Sequence, residues 1–199
     1  KEFKGVIKYK ISYSGMEIDP SMAAMMPKIA SLTLKGDMAK FEISMGQMGS
    51  QMQIINAEDR TVTSCMDMMG QKFYYVETEE EIDAGNNGDA DVTVEIKDET
   101  KEIAGYDCKK AVVTVIESGE EMILSVYFSE EIGSPSMNFD NPYFKDIPGA
   151  MLEFEIETGQ GMRMKMEATS VDKKNVSDDE FAIPEGYVKK TSAEIKQMY

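Results

Sequence analysis

The feature that most constrains this chain is an alternation of apolar and polar side chains with a period of two residues. In residues 3–13, Phe3, Gly5, Ile7, Tyr9, Ile11 and Tyr13 fall on one face and Lys4, Lys8, Lys10 and Ser12 on the other. Only a half-buried β-strand puts every second side chain on the same side. The pattern returns at Phe41, Ile43 and Met45, and at Met122, Leu124, Val126 and Phe128. It returns again at Leu152, Phe154 and Ile156, and at Met162, Met164 and Met166. Further strand-like segments lie near 31–36, 51–57, 60–67, 71–77, 92–97 and 102–117. Gly36-Asp37, Glu58-Asp59 and Gly70-Gln71 stand between segments, where tight turns belong.

Helices are few by the same reading. Asp19-Pro20 pairs an N-cap with proline at the first helical position, and Met22, Met25, Met26 and Ile29 follow at helical spacing until Pro27 ends the turn. Thr191 and Glu194 form a capping-box pattern for a terminal helix near 192–199, which would turn Ile195 and Met198 inward. Residues 77–91 break the strand pattern with a glutamate run, within which 83–89 reads as an acidic hairpin tip, and 133–149, with three prolines, reads as a long loop. With no βαβ alternation, the expectation is a mainly β (α+β) protein. It has one domain over 1–199, built on a single curved antiparallel sheet of roughly ten strands with a few short helices.

Composition removes whole classes of function. The formal charge is −16, with only two arginines, Arg60 and Arg163, so a phosphate backbone would be repelled and nucleic-acid binding is not expected. There is no histidine, which removes Ser–His and Cys–His nucleophile pairs and most catalytic zinc sites. No enzymatic activity, cofactor or metal is therefore expected. No apolar run approaches the ~20 residues that span a bilayer as a helix. The start at Lys1, without Met or a leader, is compatible with a cleaved signal peptide and equally with a trimmed chain.

Three stretches carry a resemblance: Ile103-Ala-Gly-Tyr-Asp-Cys-Lys-Lys-Ala111, Ile147-Pro-Gly-Ala-Met-Leu-Glu153 and Phe181-Ala-Ile-Pro-Glu-Gly-Tyr187. In this order they resemble an uncharacterised group of exported Gram-negative proteins related in fold to the LolA, LolB and LppX lipoprotein carriers. The resemblance implies a half-barrel, a curved sheet wrapped over helices around an apolar hollow. It also implies a periplasmic or outer-envelope location, and it carries no catalytic residue across.

Eighteen methionines, eleven of them between 16 and 69, admit three readings: core filling, the lining of an adaptable ligand cavity, or soft Cu(I) ligation. For copper the best cluster is Met66, Met68 and Met69 beside Cys65, followed by Met162, Met164 and Met166. Cys65 and Cys108 are either a disulfide or two buried thiols, and strand order decides between them. Asp83–Asp89 fails as a calcium loop, having Gly85 at the third position and Val94 at the twelfth.

The reading that follows is a binding protein holding an apolar small molecule, lipid or acyl chain. The expected lining is Phe41, Ile43, Met45, Leu124, Val126, Phe128, Leu152, Phe154, Ile156, Met162, Met164 and Met166, with Met22, Met25 and Met26 as a lid. The alternative is a non-catalytic interaction module whose partner is an envelope protein.

Overall fold

The computed structural model describes residues 2–86, 90–159 and 161–197. The alternating segments become strands of one sheet. In chain order these are β1 (Lys4–Ser14), β2 (Ile29–Lys35), β3 (Met38–Ser44), β4 (Gly49–Asn56), β5 (Thr61–Met68) and β6 (Gln71–Glu77). After them come β7 (Asp91–Ile103), β8 (Tyr106–Glu117), β9 (Glu120–Ser129), β10 (Ala150–Gly159), β11 (Met162–Lys173) and β12 (Val188–Lys189). Three short helices accompany them: α1 (Pro20–Met25), α2 (Glu79–Asn86) and α3 (Ser192–Lys196).

The strand order is β12-β6-β5-β4-β3-β2-β1-β11-β10-β9-β8-β7. β1 sits near the middle. The chain runs outward through β2–β6, crosses to the far edge at β7, and returns through β8–β11 to pair with β1. The sheet is open and curved. It has twelve strands rather than ten, and it is mixed, because β12 joins β6 in parallel through Val188↔Phe73. A parallel partner here blunts an edge that would otherwise present unpaired backbone groups.

Two local expectations are corrected. The segment 102–117 is not one strand. Ala104 (φ 51°) and Gly105 (φ 83°) make a two-residue hairpin turn, with Ile103 opposite Tyr106. The acidic stretch after β6 is a helix, not a hairpin tip. The Glu81 carboxylate accepts from the Thr78 amide at 3.0 Å and from the Thr78 hydroxyl at 3.3 Å, and Ile82 anchors the helix in the core. Glu79, Glu80 and Glu81 in its first turn suit the positive end of the helix dipole. Residues 87–89 of the failed calcium loop, and Met198 of the terminal helix, lie outside the described residues.

The two cysteines are free thiols, which corrects the disulfide alternative. Cys65 is in β5 and Cys108 in β8, with seven strands between them in the sheet. Both are fully buried, and burial pushes each thiol up to about 11.

The sheet is covered on both faces. On the outer face of β3–β6, Met52, Ile54 and Cys65 pack with Phe181 and Tyr187 of the C-terminal segment. Lys40 clips that segment to the sheet, donating to Glu180 at 3.0 Å. The inner face is covered by the stretch between β9 and β10, residues 130–149. Helices over the inner face, which the resemblance implied, are replaced there by this loop.

Candidate functional site

The 130–149 loop folds as a plug because its own side chains replace the backbone partners that a strand would supply. Asn138 Nδ2 donates to the carbonyls of Ile147 (2.8 Å) and Gly149 (2.9 Å). Asn141 Oδ1 accepts from the amides of Tyr143 (3.0 Å) and Phe144 (3.2 Å), and Asn86 reaches across to the Asp140 carbonyl at 3.1 Å. Buried backbone polar groups need such partners, so a loop deep in a β protein requires amide side chains at these places.

Over β8 and β9 the plug fits tightly. Phe144 and Ile147 pack on Ala111, Val113, Leu124, Val126 and Phe128, all buried. Phe144 meets Phe154 edge-on, with ring centroids 5.8 Å apart. Past Phe154, toward β1–β4, the plug presents Met137, Asn138, Asp140 and Asn141, and here it does not fill the space. A hollow of about 260 Å³ remains. Its floor comes from Tyr9 of β1, Leu32 of β2, Ala39, Phe41 and Ile43 of β3, and Gln53 and Ile55 of β4. Met151 and Phe154 of β10 and Met164 and Met166 of β11 complete the wall.

Of the twelve side chains expected to line a cavity, the structure brings five together here: Phe41, Ile43, Phe154, Met164 and Met166. Val126, Phe128 and Leu152 are sealed in the core, and Leu124, also buried, edges a different cleft. Ile156 packs beside the Phe144 cluster and edges a different cleft. Met45 and Met162 lie off the hollow. Met22, Met25 and Met26 do not form the lid. α1 has no buried residue, and Met22 and Met25 are more than half exposed. The cover is the plug, held by contacts distant in sequence that no local pattern announces.

Other cavity residues escaped the sequence reading. Tyr9 is buried, which raises its pKa well above the ordinary tyrosine value and keeps its hydroxyl a donor, to the Met151 carbonyl at 2.8 Å. That carbonyl is turned toward Tyr9 where the β9–β10 register slips between Met151 and Glu153. Asp140 is the one ionisable carboxylate in the wall, and burial raises its pKa.

Larger clefts lie at the surface. One of about 400 Å³ opens where β9 and β10 part beyond Phe154↔Val126. Glu121, Glu153, Glu155 and Glu157 edge it, with Arg163 and Lys165. Arg163 is paired with Glu155 and Lys165 with Glu153, so it is a seam of solvated ion pairs. The candidate Cys65 copper cluster does not assemble. Cys65 faces the C-terminal segment, alternation puts Met66 on the opposite face, and Met69 is 87% exposed at a turn. Among the described residues no cluster of three acidic or cysteine side chains could hold a metal ion, and no helix is long and apolar enough to cross a membrane.

A search of curated proteins finds no match. A family model does match, over residues 4–140, from β1 through β9 and into the plug as far as Asp140. That stretch holds the floor of the hollow and the polar side of the plug, and it stops short of β10 and β11. It covers well over half of the sequence, so the chain belongs to the family described as Domain of unknown function (DUF4412).

Proposed function

We propose that this protein is a non-catalytic binding protein of the cell envelope that holds an apolar ligand between the inner face of its sheet and the plug. One observation carries the reading: a mainly apolar hollow of about 260 Å³, partly open to solvent, lies between the plug and the inner face. Its apolar lining lacks partners on one side, so an apolar occupant would gain dispersion contacts there. Four methionines in the wall (Met137, Met151, Met164 and Met166) suit a lining that adapts to its occupant. The size falls just below the usual range for ligand sites, about 300–1,000 Å³, and suits one short acyl chain or a small lipid-like molecule. Uptake would be driven by area burial, roughly 25 cal/mol per Å² of apolar surface. The resemblance to lipoprotein carriers, with export to the periplasm or outer envelope, points the same way.

The test is native mass spectrometry of protein purified without detergent, combined with fluorescence titration of N-phenyl-1-naphthylamine. The expected result is a dissociable lipid-range mass and saturable probe binding, both lost in Ile43→Trp, whose indole would occupy the hollow. A bare protein mass together with probe uptake unchanged in Ile43→Trp would overturn the reading.

A second reading, an interaction module for an envelope partner, is favoured by a methionine-rich end. There α1, with exposed Met22 and Met25, touches the 3-10 turn Gly46–Met48, and the Met69 amide bonds to the Met48 carbonyl at 3.3 Å. A Met22→Glu, Met25→Glu variant that left probe binding intact but released a native partner would favour it.

A further inference from the structure

The wall of the hollow is chemically one-sided, and this selects among apolar ligands. Its only charged side chain is Asp140; no lysine or arginine lines it. Among the described residues Asp140 takes part in no ion pair. Burial holds its pKa above the usual aspartate value, as expected for a carboxylate that lacks a counter-ion.

The polar side chains beside it are neutral amides, Asn138, Asn141 and Gln53, none of which can act as a counter-ion. Both bonds recorded for the Asn138 amide nitrogen go to backbone carbonyls, which leaves its Oδ1 as the uncommitted atom. The Tyr9 hydroxyl is spent on Met151. The same wall holds three aromatic side chains, Tyr9, Phe41 and Phe154, and four methionines. Aromatic faces carry negative quadrupole charge and attract ammonium groups, most strongly when the site is desolvated. A carboxylate-headed ligand such as a free fatty acid would meet an unpaired anion with no lysine or arginine in the wall to offset it.

We propose that the ligand is an amphiphile with a cationic nitrogen head, an alkyl amine or quaternary ammonium, whose charge is matched by Asp140 and the surrounding rings. The inference rests on the hollow being a ligand site at all. Recognition is a charge-assisted contact at the plug, with the alkyl chain laid along Phe41, Ile43 and Met164. The chain's net charge of −16 favours the same ligands at long range, so the test must separate site from surface.

The experiment is displacement of N-phenyl-1-naphthylamine by three ligands of equal chain length, decyltrimethylammonium, decanol and decanoate, below their micelle concentrations, at neutral pH and physiological salt. The expected order is decyltrimethylammonium ahead of decanol by about tenfold, with decanoate weakest. In Asp140→Asn the cation's advantage over decanol should vanish while decanol affinity stays within about twofold. In Ile43→Trp, which keeps every charge, binding of all three should be lost. Equal binding of the three, or decanoate ahead, overturns the headgroup assignment while leaving the apolar site standing. Failure of decanol and probe to bind removes the site itself. A cation preference that survives both substitutions marks attraction to the acidic surface and also overturns the assignment. Unchanged thermal midpoints for the two variants confirm that folded protein is compared.

Discussion

The two limbs of the sheet on either side of Phe154 are built from the same alternating pattern, and the same loop covers both. Over β8 and β9 the plug contributes Phe144 and Ile147, and the inner face closes to almost zero exposure. Toward β1–β4 it contributes Ile132, Met137 and Phe139 to the core, but around the hollow it sets Asn138, Asp140 and Asn141 beside Met137. The difference at the hollow lies in the plug. Large apolar side chains close the inner face over β8 and β9; beside the hollow, short polar ones, held by bonds to their own loop, leave space.

Substitutions should expose that contrast. The largest effect is expected from Phe144→Ala, which removes a ring with 1% exposure from the filled limb. It should cost about 3–5 kcal/mol by urea unfolding. Phe41→Ala, across the hollow, should cost less than about 2 kcal/mol, because one side of its ring already lacks partners. Equal costs would mean that the limbs are packed alike and the contrast is wrong.

Next comes the hinge between limbs. Asn138→Ala strands the carbonyls of Ile147 and Gly149 and should cost about 1–3 kcal/mol. Hydrogen exchange at 130–149 should quicken while β8 and β9 stay protected; uniform acceleration would show that the plug is not a separable unit. Ile43→Trp should alter stability by under about 1.5 kcal/mol, since it adds volume where space exists. A large loss would say that the hollow cannot accept a ring.

The smallest effect concerns pH. The folded-state pKa of Asp140 is raised by burial. The native state therefore holds that proton at pH values where the unfolded chain has released it, and stability falls as pH rises through that window. Asp140→Asn removes this contribution. Its stability relative to the parent protein should grow as pH climbs from the ordinary aspartate value through the raised one, then level off. Asp178 and Glu180 behave oppositely, their pKa values being lowered first by hydrogen bonds from Lys35 and Lys40. Their contribution is lost as pH falls, but it is common to both proteins and cancels in the comparison. A gap that stays constant with pH would place Asp140 in contact with water.

The sequence by itself determined the strands. A two-residue period can be satisfied only by an extended backbone with one face buried, so Phe41, Ile43, Leu124, Val126, Met164 and Met166 were all legible as inward-facing. It determined the free backbone at Gly36 and Gly70, where the turns fall, and the capping box at Thr191. The same capping logic was present at Thr78 and Glu81, but the acidic run around it resembled a solvated turn. Which inward-facing residues meet a ligand-sized space, and which are simply core, was not legible, because periodicity reports a face and not what lies against it. The fate of the cysteines and the covering of Met52 by Phe181 and Tyr187 depended on strand order, which is a matter of long-range pairing. The tertiary structure alone decided that a loop with no periodic signal enters the sheet, filling one limb with Phe144 and Ile147 and leaving Asp140 beside an apolar hollow in the other. Burial of that loop depends on a few side-chain hydrogen bonds that satisfy its backbone, and bonds of that kind leave no repeating trace in a sequence.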